Sequence, residues 1–132
     1  VCAGDFFESD GVAIRGFDPV SYQTEQRAVR GKQEFRATHE GSEFRFSTGA
    51  NRDVFVANPQ RYAPQYGGFC AYGTAGGYKA AIDPMAFTVV DGKLYLNYNE
   101  QVRKEWGKDI PGYIEKADKN WPVVQTQTKV AR

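Results

Sequence analysis

Cys70 lies within Gln65-Tyr-Gly-Gly-Phe-Cys-Ala-Tyr-Gly-Thr-Ala-Gly-Gly-Tyr-Lys79, where five glycines, three tyrosines, a phenylalanine and a thiol share fifteen residues. Glycine at this density removes side chains and permits positive φ, so backbone can approach a ligand, a metal or another strand closely. Two chemistries are open to the thiol. As a nucleophile, Cys70 would need a base, with glycine N–H groups stabilising an oxyanion. The only histidine is His39, at the tip of an expected hairpin. As a soft ligand, Cys70 could hold Cu(I) with His39 or Met85, because Cu(I) needs only two or three donors. Zinc asks for four, and no paired Cys or His spacing exists to form a local zinc knuckle. Copper therefore stands above zinc. Against both readings stands a small buried thiol with no chemistry, since free cysteine is among the most buried residue types.

A ligand site without metal is the alternative. Tyr66, Phe69, Tyr72 and Tyr98 can wall an aromatic pocket, with Gly67 and Gly68 letting backbone come close. Asp18, fixed between Phe17 and Pro19, can orient a ligand or simply close an Asx-type turn. Asn97 is expected to point inward at the end of a strand, as a buried amide that clamps the glycine-rich loop or touches a ligand. Gly67-Gly68 and Gly76-Gly77 lack the lysine placement of a phosphate loop and the dinucleotide fingerprint.

The elements that must position these residues are legible in part. Residues 1–10 read as an arm. Val12 to Phe17 is a strand candidate broken at Asp18-Pro19. Phe35 to His39 and Glu43 to Ser47 alternate apolar and charged residues around Glu40-Gly41-Ser42, which predicts a hairpin with one buried face. Thr48 caps a predicted helix from Gly49 to Ala57 that buries Val54, Phe55 and Ala57. Asn58-Pro59 starts a short helix to Tyr62, and Pro64 ends it. Phe87 to Val90 and Lys93 to Tyr98 flank Asp91-Gly92, the signature of a two-residue type I′ turn. Asn99 caps a closing helix that carries Val102, Trp106 and Ile110, is interrupted at Pro111-Gly112 and resumes with Tyr113, Ile114, Ala117 and Trp121. Pro122 is expected to stop it, leaving 123–132 as an extended or mobile tail. Strands and helices mix without a βαβ rhythm. The expected class is α+β: a small antiparallel sheet built from two hairpins, packed on helices, with a long C-terminal helical segment.

A chain of 132 residues with 41% hydrophobic and 14% aromatic residues is one packed domain. Seventeen basic and sixteen acidic residues are interspersed at a net charge of +1. Nucleic-acid and anionic-membrane binding thus lack an electrostatic footprint. No apolar run approaches a membrane span. Val1-Cys-Ala3 before Gly4 fits the small-residue rule of a signal-peptidase site. In an oxidising compartment a Cys2–Cys70 disulfide is one option; an inert Cys70 beside a frayed Cys2 is the other.

Several motifs match one family in order. Gly11-Val-Ala-Ile-Arg-Gly-Phe-Asp-Pro-Val-Ser-Tyr22, Asn51 through Tyr72, Asp91-Gly-Lys-Leu-Tyr-Leu-Asn-Tyr-Asn99, Asp109-Ile-Pro-Gly112 and Asn120-Trp-Pro122 resemble the YHS-domain family, in particular its stand-alone exported bacterial members. The resemblance spans about residues 11 to 122. It implies a small α+β fold, a periplasmic or secreted location, and a connection with metals. Relatives fused to copper-transporting ATPases, and the similar TRASH domains, carry heavy-metal cysteines. In them the second strand of the first hairpin ends in Cys-Ser, and another Cys opens the next helix. The corresponding positions here are Ser47-Thr48 and Asn51, so both thiols are missing. His39, which resembles the histidine of the family's name motif, and Cys70 remain. The expectation is a small exported module that binds a metal ion, copper above zinc, near Cys70, or a metal-free small-molecule or protein-interaction domain that uses the aromatic pocket, with a thiol-dependent enzyme as the third reading.

Overall fold

The computed structural model describes residues 6–132. The fold is α+β. Strands β1 (Glu8–Ser9) and β2 (Val12–Ala13) form a tight antiparallel pair. The end of the expected arm is therefore part of the domain, and Phe6 and Phe7 are buried. The strand expected from Val12 to Phe17 stops after two residues. Ile14, Arg15 and Gly16 follow at φ 45°, 55° and 78°, a left-handed turn that a strand cannot continue.

Helix α1 (Ser21–Thr24) leads to the first hairpin, β3 (Lys32–His39) and β4 (Ser42–Phe46). Glu40 and Gly41, at φ 48° and 85°, make the two-residue turn that matches strand twist. β4 also pairs in parallel with β2, giving a four-stranded mixed sheet of order β1-β2-β4-β3. The hairpin's apolar face buries Phe44 and Phe46, as the alternation predicts. Helix α2 (Gly49–Ala57) crosses that face, its first turn capped by the Thr48 hydroxyl accepting from Asn51 N at 3.1 Å. Of the three residues expected to bury there, only Phe55 does; Val54 and Ala57 face solvent, because a short helix packed on one sheet face uses a narrow stripe. Helix α3 (Pro59–Tyr62) begins on its proline as expected.

The glycine-rich segment is not an open loop. A left-handed turn at Tyr66 and Gly67 leads to α4 (Ala71–Ala75) and then to β5 (Lys79–Ala80). Gly68 carries the physical requirement. It sits at φ 81°, and a Cβ there would lie 2.7 Å from Ile14 Cγ2. The second hairpin, β6 (Asp83–Val90) and β7 (Lys93–Asn97), turns at Asp91-Gly92 with both φ values positive, as expected. It forms its own two-stranded sheet, so the two hairpins do not join into one antiparallel sheet. β7 is buried on both faces. Leu94 and Leu96 meet Phe7, Ile14 and Phe69, while Tyr95 meets Tyr66 and Trp106.

The closing helical segment has α5 (Glu100–Trp106), capped by the Asn99 side chain on Val102 N at 2.8 Å, and α6 (Ile110–Val124). The break falls at Gly107–Asp109, three residues before the expected one. Asp109 caps α6, and Pro111 occupies its first turn, where a missing N–H costs nothing. Pro122 does not end α6: it is exposed, and Gln125 N still donates to Trp121 O at 2.7 Å. The tail beyond is extended and docked. β8 (Val130–Ala131) pairs in parallel with β5, and the Lys79 ammonium donates to the carbonyls of Gln125 and Gln127 at 3.0 and 2.7 Å. Among the described residues, no helix is long and apolar enough to cross a membrane.

The α2 stripe yields a direct check. Phe55→Ala should lower unfolding free energy by about 3–5 kcal/mol, whereas Val56→Ala, on the exposed side, should stay within about 0.5 kcal/mol of wild type. Equal losses in urea melts would contradict this packing.

Candidate functional site

Asp18 is a fully buried carboxylate whose partners are four donors within the protein. Its Oδ1 accepts from Val20 N, and its Oδ2 from Ser47 N, Ser47 Oγ and Asn51 Nδ2, each at 2.8 Å. The Asx turn at Asp18-Pro19 is thus extended into a clamp that ties α1 to the end of β4 and the start of α2. Ser47 and Asn51 are committed to this carboxylate.

Cys70 lies elsewhere, at the start of α4. Its thiol donates to Asn97 Oδ1 at 3.5 Å and accepts from Gly73 N at 3.4 Å. Burial pushes the Cys70 thiol up, and backbone N–H groups of Gly73, Tyr98 and Tyr72 offset this only partly. The sulfur therefore rests as a thiol near neutrality, the unreactive form. Asn97 is wholly buried, as its strand position predicts, and its Oδ1 also accepts from Tyr72 N at 2.9 Å. That donor fixes the amide orientation, and Asn97 Nδ2 has no hydrogen-bond partner among the described residues. Asn97 is thus the clamp on the glycine-rich segment.

Beside this clamp opens a cleft of about 330 Å³ lined by Cys70, Tyr72, Tyr78, Tyr98 and Val102, with Arg132 at its edge. Tyr78 and Tyr98 are 46% and 40% exposed. Tyr98 is held by its hydroxyl donating to Arg132 O at 2.8 Å. Tyr72 packs on Tyr113 at 5.3 Å between centroids.

The other expected site residues are placed apart from it. Phe69 is core, 5.9 Å from the Phe7 ring. Tyr66 is buried under α6 and donates to Asp118 Oδ1 at 2.8 Å; burial first, and that bond second, push its phenol up. Gly67 O accepts from Phe7 N at 2.7 Å, and Gly68 makes the close approach to Ile14. Both glycines bring backbone to backbone and core. Tyr66 and Gly67 line a second, more polar cleft with His39. His39 packs edge-on against Phe55 at 5.7 Å and pairs with Glu40 at 2.9 Å. Met85 is 63% exposed on β6. The three expected metal donors are thus not brought together, and among the described residues no group of three His, Cys, Asp or Glu side chains could hold a metal ion. Cys2, and with it the expected disulfide, lies outside the described residues.

Sequence reasoning missed Tyr78, Val102 and Arg132. Tyr78 stands in the glycine-rich run and had a local signal. Val102 looks like any core position of an amphipathic helix, and Arg132 reaches the cleft only because β8 docks on β5. No family model matches this sequence, and no curated protein or solved structure matches it either.

Two outcomes follow from the burial. Iodoacetamide should modify Cys70 in the folded protein near neutral pH roughly a hundredfold more slowly than in urea, as read by peptide mass mapping; equal rates would show an accessible thiolate. Tyr22 and Tyr66 are both raised above the ordinary phenol value of 10.0. The folded state therefore keeps protons that the unfolded state sheds, and stability falls as pH rises through about 10. Urea midpoints should decline there, and Tyr66→Phe should flatten the decline; an unchanged slope in the variant would contradict the shift.

Proposed function

We propose that this chain is a small binding module whose ligand is an organic molecule seated against Tyr72, Tyr78 and Tyr98. The observation that carries the reading is the cleft itself: a concave, mainly apolar space rimmed by two substantially exposed tyrosines and floored by a satisfied thiol. Cys70 serves as part of the floor. Its raised thiol and the separation of His39 from it weigh against a nucleophilic role. Kinship with the exported YHS-like proteins, and a periplasmic or secreted location, belong to the same proposal. They are supported by the motifs between residues 11 and 122.

The competing reading is a soft-metal role for Cys70, supported by the resemblance to metal-linked relatives. One pair of titrations separates the two. Indole added to the reduced protein should perturb the amides of Tyr72, Tyr78, Tyr98 and Val102. It should also stabilise the fold by about 2.7 kcal/mol at roughly a hundred times Kd, in wild type and Cys70→Ser alike and with or without chelator. Cu(I) presented in a competing chelator should not be taken up. Stoichiometric copper binding that disappears in Cys70→Ser, with no response to indole, would replace the proposal with a thiolate copper site.

A further inference from the structure

The tyrosine cleft continues into a second one. Tyr98 and Arg132 line both, and the second, about 420 Å³, adds Arg15, Asp83 and the backbone of Ala81 and Ile82. The guanidinium groups of Arg15 and Arg132 lie 5.2 and 5.7 Å from the centroid of one ring, that of Phe7. Neither has an ion-pair partner among the described residues. The carboxylate on this wall, Asp83, accepts from Met85 N at 2.9 Å. Two like charges gathered around one ring and lining one cleft repel each other, and the ring quadrupole offsets that only in part. An anion between them would relieve it.

Arg15 is also held in place at a conformational cost. Ile14 and Arg15 both sit at positive φ, which is rare for a β-branched residue, and Arg15 Nε donates to Ile82 O at 3.0 Å. The strained turn buries Ile14 in the core and sets the Arg15 guanidinium on the cleft wall.

We infer that the ligand is an amphipathic organic anion, its carboxylate held between Arg15 and Arg132 and its apolar body passing Tyr98 to lie against Tyr72, Tyr78 and Val102. This inference rests on the cleft reading above and adds the charge and polarity of the ligand. Guanidinium groups recognise a carboxylate by charge-assisted hydrogen bonds, and tyrosine walls accept any flat or flexible apolar body.

Phenylbutyrate, phenylbutanol and phenylbutylamine share one body and differ in the head group. Titrated into the full chain and followed by calorimetry and amide shifts, phenylbutyrate should bind best, the alcohol roughly tenfold more weakly, and the amine not measurably. Arg132→Gln, at an exposed position, should remove roughly tenfold of the phenylbutyrate affinity and leave the alcohol unchanged. Arg15→Lys keeps the charge but loses the fork, and should fall between. Raised salt should weaken the carboxylate alone. Equal binding of all three compounds at the tyrosines would overturn the anion inference while leaving the cleft reading standing. So would an Arg132→Gln variant with unchanged affinity for the carboxylate. Binding of none would overturn both.

Discussion

A buried carboxylate held by neutral donors is the constraint on which the first half of the molecule turns. Asp18 can be buried only if its oxygens are met by donors, because an unpaired charge in an apolar interior is prohibitively costly. Its donors come from the start of α1, the end of β4 and the first turn of α2, so these three segments must converge on one point. That convergence lays α2 across the first hairpin and encloses Phe44, Phe46 and Phe55. It also uses up Ser47 and Asn51.

A second constraint governs the other half. β7 is covered on both sides, so the inward side-chain oxygen of Asn97 needs donors, and it finds them in Tyr72 N and the Cys70 thiol. This fastens the glycine-rich segment to the second hairpin. Gly68 lets the same segment pass under Ile14 without collision. The glycines therefore serve backbone packing, and Cys70 serves as helix cap and cleft floor. What remains open to solvent is a tyrosine-lined cleft bounded by α5, β5 and the docked tail, with cationic side chains at one end. The proposed binding role would fall to side chains left over once the packing constraints have been met.

Local sequence determined the features whose physics is local. The two-residue turn at Asp91-Gly92, the caps at Thr48 and Asn99, the start of α3 at Pro59 and the buried face of the first hairpin follow from residue type and spacing, whereas Ser42, read as part of the first turn, belongs to β4. The inward placement of Asn97 follows from residue type and spacing as well. The α+β class follows from the mixture of these elements. Local signals failed where a distant partner decides. Val12 to Phe17 reads as a short strand, yet Ile14 is drawn into a left-handed turn by its place in the core. Pro122 reads as a stop, yet its exposed position lets α6 continue past it. Nothing in residues 123–132 announces that they pair with β5. The candidate site divides in the same way. Cys70, Tyr72 and Tyr98 were legible as aromatics and a thiol near glycine, but His39 and Met85 were grouped with them by chemistry alone, and the fold keeps them apart. Arg15 and Arg132, 117 positions apart in the chain, meet over Phe7 only in three dimensions. Residue type dictates which groups can bind or react; only burial, pairing and long-range docking decide which of them face the same space.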